Sequence, residues 1–159
     1  MSDLSHPAIQ RVVQVAARKG VKLDITIFDD STHTAEEAAA IVGADLGQIV
    51  KSLVFVAPRA GGRLLPIVCL VSGRNRVDLA QLAAVTGEAA IRRATAREAR
   101  DLTGFSIGGI PPFGHGHDVR VVMDRRRAPE LRLVTETGAQ RRRRERRERP
   151  PVWIFPPSD

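Results

Sequence analysis

One cysteine, Cys69, stands in a chain of 159 residues, so no internal disulfide can form. Its place in the apolar run LPIVCLV makes a buried, inert thiol the expected state. No apolar run reaches the length of about 18 residues that a membrane-spanning helix needs. The opening MSDLSHPAIQ lacks the basic-then-apolar order of a secretory signal, and a cytoplasmic location without membrane contact is expected. Repeats of solenoid period are also missing. What is present is an ordinary globular composition, 43% hydrophobic and 27% charged, long enough for one domain with a real core.

The formal net charge of +7 invites a nucleic-acid reading, but its distribution weakens that inference. Residues 1–124 carry 14 Lys plus Arg against 13 Asp plus Glu, while residues 125–159 carry 11 against 5. The body is close to neutral. Nearly all the basicity sits in the last stretch, where RRRRERRERPPVWIFPPSD is a charge block followed by a proline-rich tail that reads as disordered.

Helices and strands alternate along the body. PAIQRVVQVAARK (7–19) spaces Ile9, Val12, Val13 and Ala16 for one helical face, with Pro7 in the first turn. LDITIFD (23–29) alternates apolar and polar residues as a strand does. A capping box of Thr34 and Glu37 opens a second helix, Asp78 caps a third within VDLAQLAAVTG, and a Thr95 to Glu98 box opens a fourth. QIVKSLVFVAP (48–58) and RLLPIVCLVSG (63–73) predict a central hairpin turning at Ala60-Gly61-Gly62, VRVVMD (119–124) a further strand, and LRLV (131–134) one more. This order implies α+β with a mixed or mostly antiparallel sheet, not a doubly wound one.

Two features invite chemistry. GGIPPFGHGH (108–117) is too rich in glycine and proline for a helix or strand interior. His115, His117 and Asp118 are too few, at this spacing, to make a metal site the favoured reading. Two prolines and a following strand also argue against a phosphate cradle, which runs into a helix N-terminus. A rigid clamp with exposed backbone N–H groups and a plain tight turn remain. Lys51, inside IVKSLVFV, either points to solvent by alternation or aims its ammonium at an anion from a pocket mouth. Ser52, Ser72 and Ser106 are available, but nothing marks any of them as an activated nucleophile.

Taken in order, HTAEEAAAIVG, QIVKSLVFV, a strand ending in SG, RVDLAQLAAVTG, ATAREARDLTG, GGIPPFG and VRVVMD resemble the YbaK family. This is the aminoacyl-tRNA editing domain that also occurs inserted in prolyl-tRNA synthetases. The resemblance covers residues 7–124. It implies an α+β domain with a mixed, mostly antiparallel, barrel-like sheet and flanking short helices. It implies hydrolysis of the ester of mischarged tRNA by a free-standing deacylase, with alanyl or cysteinyl esters of proline tRNA as typical substrates. Lys51 matches the family's functional lysine, and Gly109-Ile110-Pro111-Pro112 its GxxP loop.

On that reading Gly109, with the neighbouring Gly108 and Ile110, holds the ester carbonyl or orients the attacking water. Lys51 holds the terminal adenosine's phosphate or ribose. Phe28 and Thr34 fall where family members line the amino-acid pocket, and Pro111, Pro112 and His115 complete the site. No metal or cofactor is implied. Mischarged tRNA is the implied partner, with a synthetase as a further one. The same fold used as a non-catalytic tRNA-, nucleotide- or synthetase-binding module is the alternative.

Residues 1–135 are accordingly expected to form the editing-type domain, atypical at its C-terminal end, and residues 136–159 an arginine- and proline-rich tail. Family members continue past this point with an apolar strand and a final helix, which the arginine block replaces. An appended arm gripping tRNA phosphates is one explanation. An altered reading frame is the favoured one, because the missing elements would leave apolar surface uncovered.

Overall fold

The computed structural model describes residues 5–25 and 34–123. Helix α1 (Pro7–Arg18) begins on proline, whose missing N–H costs nothing in a first turn, and His6 Nδ1 accepts from the Ala8 N–H at 3.2 Å. Ile9, Val12 and Ala16 make its buried stripe. Helix α2 (Ala35–Val42) opens on the expected capping box, with Thr34 Oγ1 accepting from Glu37 N–H and the Glu37 carboxylate accepting from Thr34 N–H, each at 3.2 Å. Asp78 caps α3 (Leu79–Thr86), and Thr95 with Glu98 caps α4 (Ala96–Thr103).

Strands β1 (Val50–Pro58), β2 (Leu64–Ser72), β3 (Arg92–Arg93) and β4 (Arg120–Met123) form one mixed sheet in the order β3-β1-β2-β4. The β1–β2 pair is antiparallel in unbroken register, from Val50 opposite Ser72 to Pro58 opposite Leu64. β3 adds antiparallel to β1, and β4 adds parallel to β2 after the crossover through α3 and α4. The described architecture is therefore α+β, with β3 and β4 as the two edges of the sheet.

Strand alternation gives the central hairpin two apolar faces. Val54, Val56, Val68 and Leu70 meet Val12 of α1 and Ala99 of α4 on one face. Phe55, Ala57, Ile67, Cys69 and Val71 meet Leu82 of α3 on the other. Val56, Ile67, Val68 and Leu70 are wholly buried, each worth about 1.5–3 kcal/mol of transfer free energy, so the hairpin is the stabilising centre. A smaller cluster packs Ala38 and Ala39 of α2 on Ile49, just before β1.

Two sequence expectations change. Leu23, Asp24 and Ile25 have no strand pairing, although Leu23 still packs on the α1 face, and the rest of the expected 23–29 strand lies outside the described residues. β3 was not foreseen: two exposed arginines are too short and too polar to carry a strand pattern, and tertiary pairing of Arg92 with Val56 and Arg93 with Phe55 defines it. The Arg92 guanidinium also grips the Glu98 carboxylate through two bonds of 2.8 Å, tying β3 to the start of α4. The expected strand at 131–134 and the tail at 136–159 lie outside the described residues.

Candidate active site

The glycine loop is built outward from the end of α4. Thr103, wholly buried, donates from Oγ1 to Ala99 O at 2.7 Å and accepts from Phe105 N–H at 3.1 Å, which turns the chain toward the sheet. Phe105 and Ile110 both enter the α1-side core. Between them the chain loops out, and Gly109 N–H donates back to Ser106 O at 3.0 Å. Gly108 has φ +94°, while a Cβ there would meet nothing within 4 Å, so the backbone angle and not crowding calls for glycine.

Downstream the loop is anchored. Pro111 and Pro112 are buried. The His115 Nε2–H donates to Pro111 O at 2.9 Å, and the ring stands edge-on to Phe105 with centroids 6.3 Å apart. Burial pushes the imidazole pKa down, against a smaller opposite pull from the Pro111 bond. Gly116 N–H donates to Thr103 O at 2.9 Å, while Arg11 of α1 lies 5.6 Å from the Phe105 ring centroid. The loop is thereby strapped to both α1 and α4.

These bonds sort the backbone donors. Gly109 N–H is used inside the turn, whereas the N–H groups of Gly108 and Ile110 have no hydrogen-bond partner among the described residues. Two unpaired N–H groups flanking a fixed turn can receive a carbonyl oxygen or a water.

Lys51 lies near the start of β1, opposite Val71, and its Nζ donates to Gly73 O at 3.2 Å. Its charge has no carboxylate partner among the described residues. By alternation Lys51 shares the face of Leu53 and Phe55, toward α3, whereas Ile110 packs on the opposite face with Val54. The structure thus joins Gly108, Gly109, Ile110, Pro111, Pro112 and His115 in one unit, and among the described residues no hydrogen bond links Lys51 to it.

Thr34 acts as the α2 cap, and Phe28 lies outside the described residues. The three serines separate in a way their sequence contexts did not reveal. Ser72 Oγ donates to Gly47 O at 2.8 Å, Ser106 Oγ accepts from Arg100 at 3.1 Å, and Ser52 Oγ is buried without a partner among the described residues. Among the described residues no three His, Cys, Asp or Glu side chains gather as a metal site would require, and no helix is long and apolar enough to cross a membrane.

Comparison with known proteins agrees with this architecture. The family model for the aminoacyl-tRNA editing domain matches residues 29–143. The proline–tRNA ligase of Limosilactobacillus fermentum is 32% identical over 92 residues, covering 58% of this chain and 16% of the ligase. The multifunctional Ser/Thr-tRNA deacylase ProXp-y of Escherichia coli K12 is 27% identical over 126 residues, covering 78% of this chain and 74% of the deacylase. A crystal structure assigned as a trans-editing enzyme for prolyl tRNA synthetase superposes with a TM-score of 0.66 at 42% identity, covering 78% of this chain and 76% of that one. The chain spans only a small part of the ligase it matches.

Proposed function

Because the chain belongs to the aminoacyl-tRNA editing domain family, we propose that it hydrolyses the ester linking a wrongly attached amino acid to tRNA, as a free-standing deacylase. The reading draws support from the coverage of the deacylase relative, which extends over most of both chains. Proline tRNA carrying alanine or cysteine is the substrate class we assign, with a synthetase as a further partner and the cytoplasm as location. A barrel-like closure of the sheet and a domain limit near residue 135 belong to the same proposal.

The observation that carries it is the pair of N–H groups at Gly108 and Ile110, without a partner among the described residues, on a loop locked by Pro111, Pro112 and His115. Ester hydrolysis passes through a tetrahedral oxyanion, and donors fixed beforehand stabilise it without reorganisation at the moment of reaction. Gly109 sets the turn that spaces the two donors, its own N–H being committed to Ser106 O. His115 acts through Pro111 as a positioning residue. Lys51, a cation on a half-buried stem with no carboxylate partner among the described residues, would hold the phosphate or ribose of the terminal adenosine. Thr34 uses its oxygen as an acceptor in the α2 cap, which leaves its hydroxyl hydrogen to donate to a bound amino acid, and Phe28 is assigned to the same pocket on the family resemblance. A pocket of limited size admits small wrong amino acids and excludes the larger correct one.

That no hydrogen bond joins Lys51 to the loop among the described residues favours a second reading, a non-catalytic module of the same fold that binds tRNA, a nucleotide or a synthetase. Turnover separates the two. Protein at substoichiometric amount is incubated with alanyl- and cysteinyl-tRNA of the proline type, and free amino acid is measured. Release of many equivalents supports the deacylase, whereas retention of tRNA without release supports the module.

A further inference from the structure

We propose that Arg74 and Arg76, at the Lys51 end of the β1–β2 hairpin, form a seat for the tRNA sugar-phosphate backbone next to the reacting end. This inference rests on the reading of tRNA as the substrate. Five arginines of the described body are engaged by other protein groups. Arg59 pairs with Glu88, Arg92 with Glu98 and Arg97 with Asp101, while Arg100 donates to Ser106 Oγ and Arg120 to Thr86 O. Arg74 and Arg76 are exposed and have neither a hydrogen bond nor an ion pair among the described residues.

Their placement distinguishes them from other unpaired arginines. Arg74 directly follows Gly73, whose carbonyl accepts from Lys51 Nζ at 3.2 Å. Arg63 is also exposed, with no side-chain partner among the described residues, but it lies beyond the Pro58–Leu64 pair. That pair is seven residues along β2 from Val71, the partner of Lys51, or about 23 Å at strand spacing.

The seat is rigid. Gly73 N–H donates to Ile49 O at 2.7 Å, Ser72 Oγ to Gly47 O at 2.8 Å and Asn75 N–H to Ser72 O at 2.8 Å. The Arg74 side chain lies over Gly47, with Nε 3.4 Å from where a Cβ on that glycine would stand. Asp78, the nearest acid in sequence, is engaged as the α3 cap, accepting from Gln81 N–H at 3.0 Å. Planar guanidinium groups with free donors suit phosphate oxygens, and a fixed base loses little freedom on binding.

The test is binding of deacylated proline tRNA to the full chain across a salt series, which needs no turnover. Arg74→Ala/Arg76→Ala is expected to weaken binding and to make the log–log salt slope shallower by roughly 2, one released counterion for each lost phosphate contact. Arg74→Lys/Arg76→Lys, which keeps both charges, should retain the slope, and Arg63→Ala should match the wild type. A slope in the double alanine variant equal to that of the wild type, with a native circular dichroism spectrum, would overturn the seat. So would an equal loss in Arg63→Ala. Failure of the wild type to release amino acid, with the slope change intact, would refute the deacylase reading and leave the seat standing.

Discussion

Lys51 Nζ reaches Gly73 O at 3.2 Å, and Gly73 is the most crowded glycine among the described residues, since a Cβ there would come within van der Waals overlap of Leu46 O. The lysine and the turn before β1 therefore depend on one bare backbone position. That dependence makes the position a sensitive probe.

Gly73→Ala should force the 46–48 turn away from the end of β2, because the clash is with a backbone atom that cannot swing aside. Overpacking of this kind costs about 1–3 kcal/mol. Urea unfolding would register the loss, and a stability equal to wild type would mean the turn gives way freely. The same substitution moves the acceptor of Lys51, so hydrolysis should fall more than stability does.

His115 supplies a pH signature. Its folded-state pKa lies below the ordinary 6.5 because of burial, so the unfolded chain takes up a proton first as pH falls. Its contribution to stability is therefore complete above about 6.5 and is lost as pH drops toward the lowered folded value. His115→Asn should flatten that part of the stability profile and cost about 1 kcal/mol at pH 7.5 through the weakened Pro111 bond. An unchanged profile between wild type and variant would show that the imidazole does not govern it.

Cys69 is 3% exposed, and burial pushes its thiol up to about 12. A thiol reagent at pH 8 should leave it unmodified in the native protein and modify it within minutes once the chain is unfolded. Rapid native modification would place the thiol outside the α3-side core.

The helices were legible because their signals are local. Thr34 with Glu37, Asp78 with Gln81, and Thr95 with Glu98 each declare a helix start within four residues. The central hairpin was legible from two β-rich runs and the glycines between them. β3 was not, since Arg92 and Arg93 become a strand only when β1 lies beside them. The site was legible as residue types and only partly as geometry. On the sequence, the backbone N–H groups of the 108–110 stretch are the expected donors; within that stretch the turn engages the N–H of Gly109, while those of Gly108 and Ile110 have no hydrogen-bond partner among the described residues. By strand parity Lys51 keeps step with Phe55, while Ile110 belongs to the cluster of Val54, so parity alone does not join the lysine to the loop. Parity can be read along a strand, but which helix or loop covers each face is decided by the long crossover from β2 to β4.

The most direct measurement is the rate of amino-acid release from mischarged proline tRNA by the wild type, Lys51→Ala and Lys51→Arg. A hydrogen bond from a charged donor to the substrate is worth about 1.5–3 kcal/mol, so Lys51→Ala should lose roughly 10- to 100-fold in kcat/KM, with Lys51→Arg recovering part of it. Release by Lys51→Ala at the full wild-type rate, or no release by the wild type from any mischarged tRNA in the panel, would contradict the assigned site.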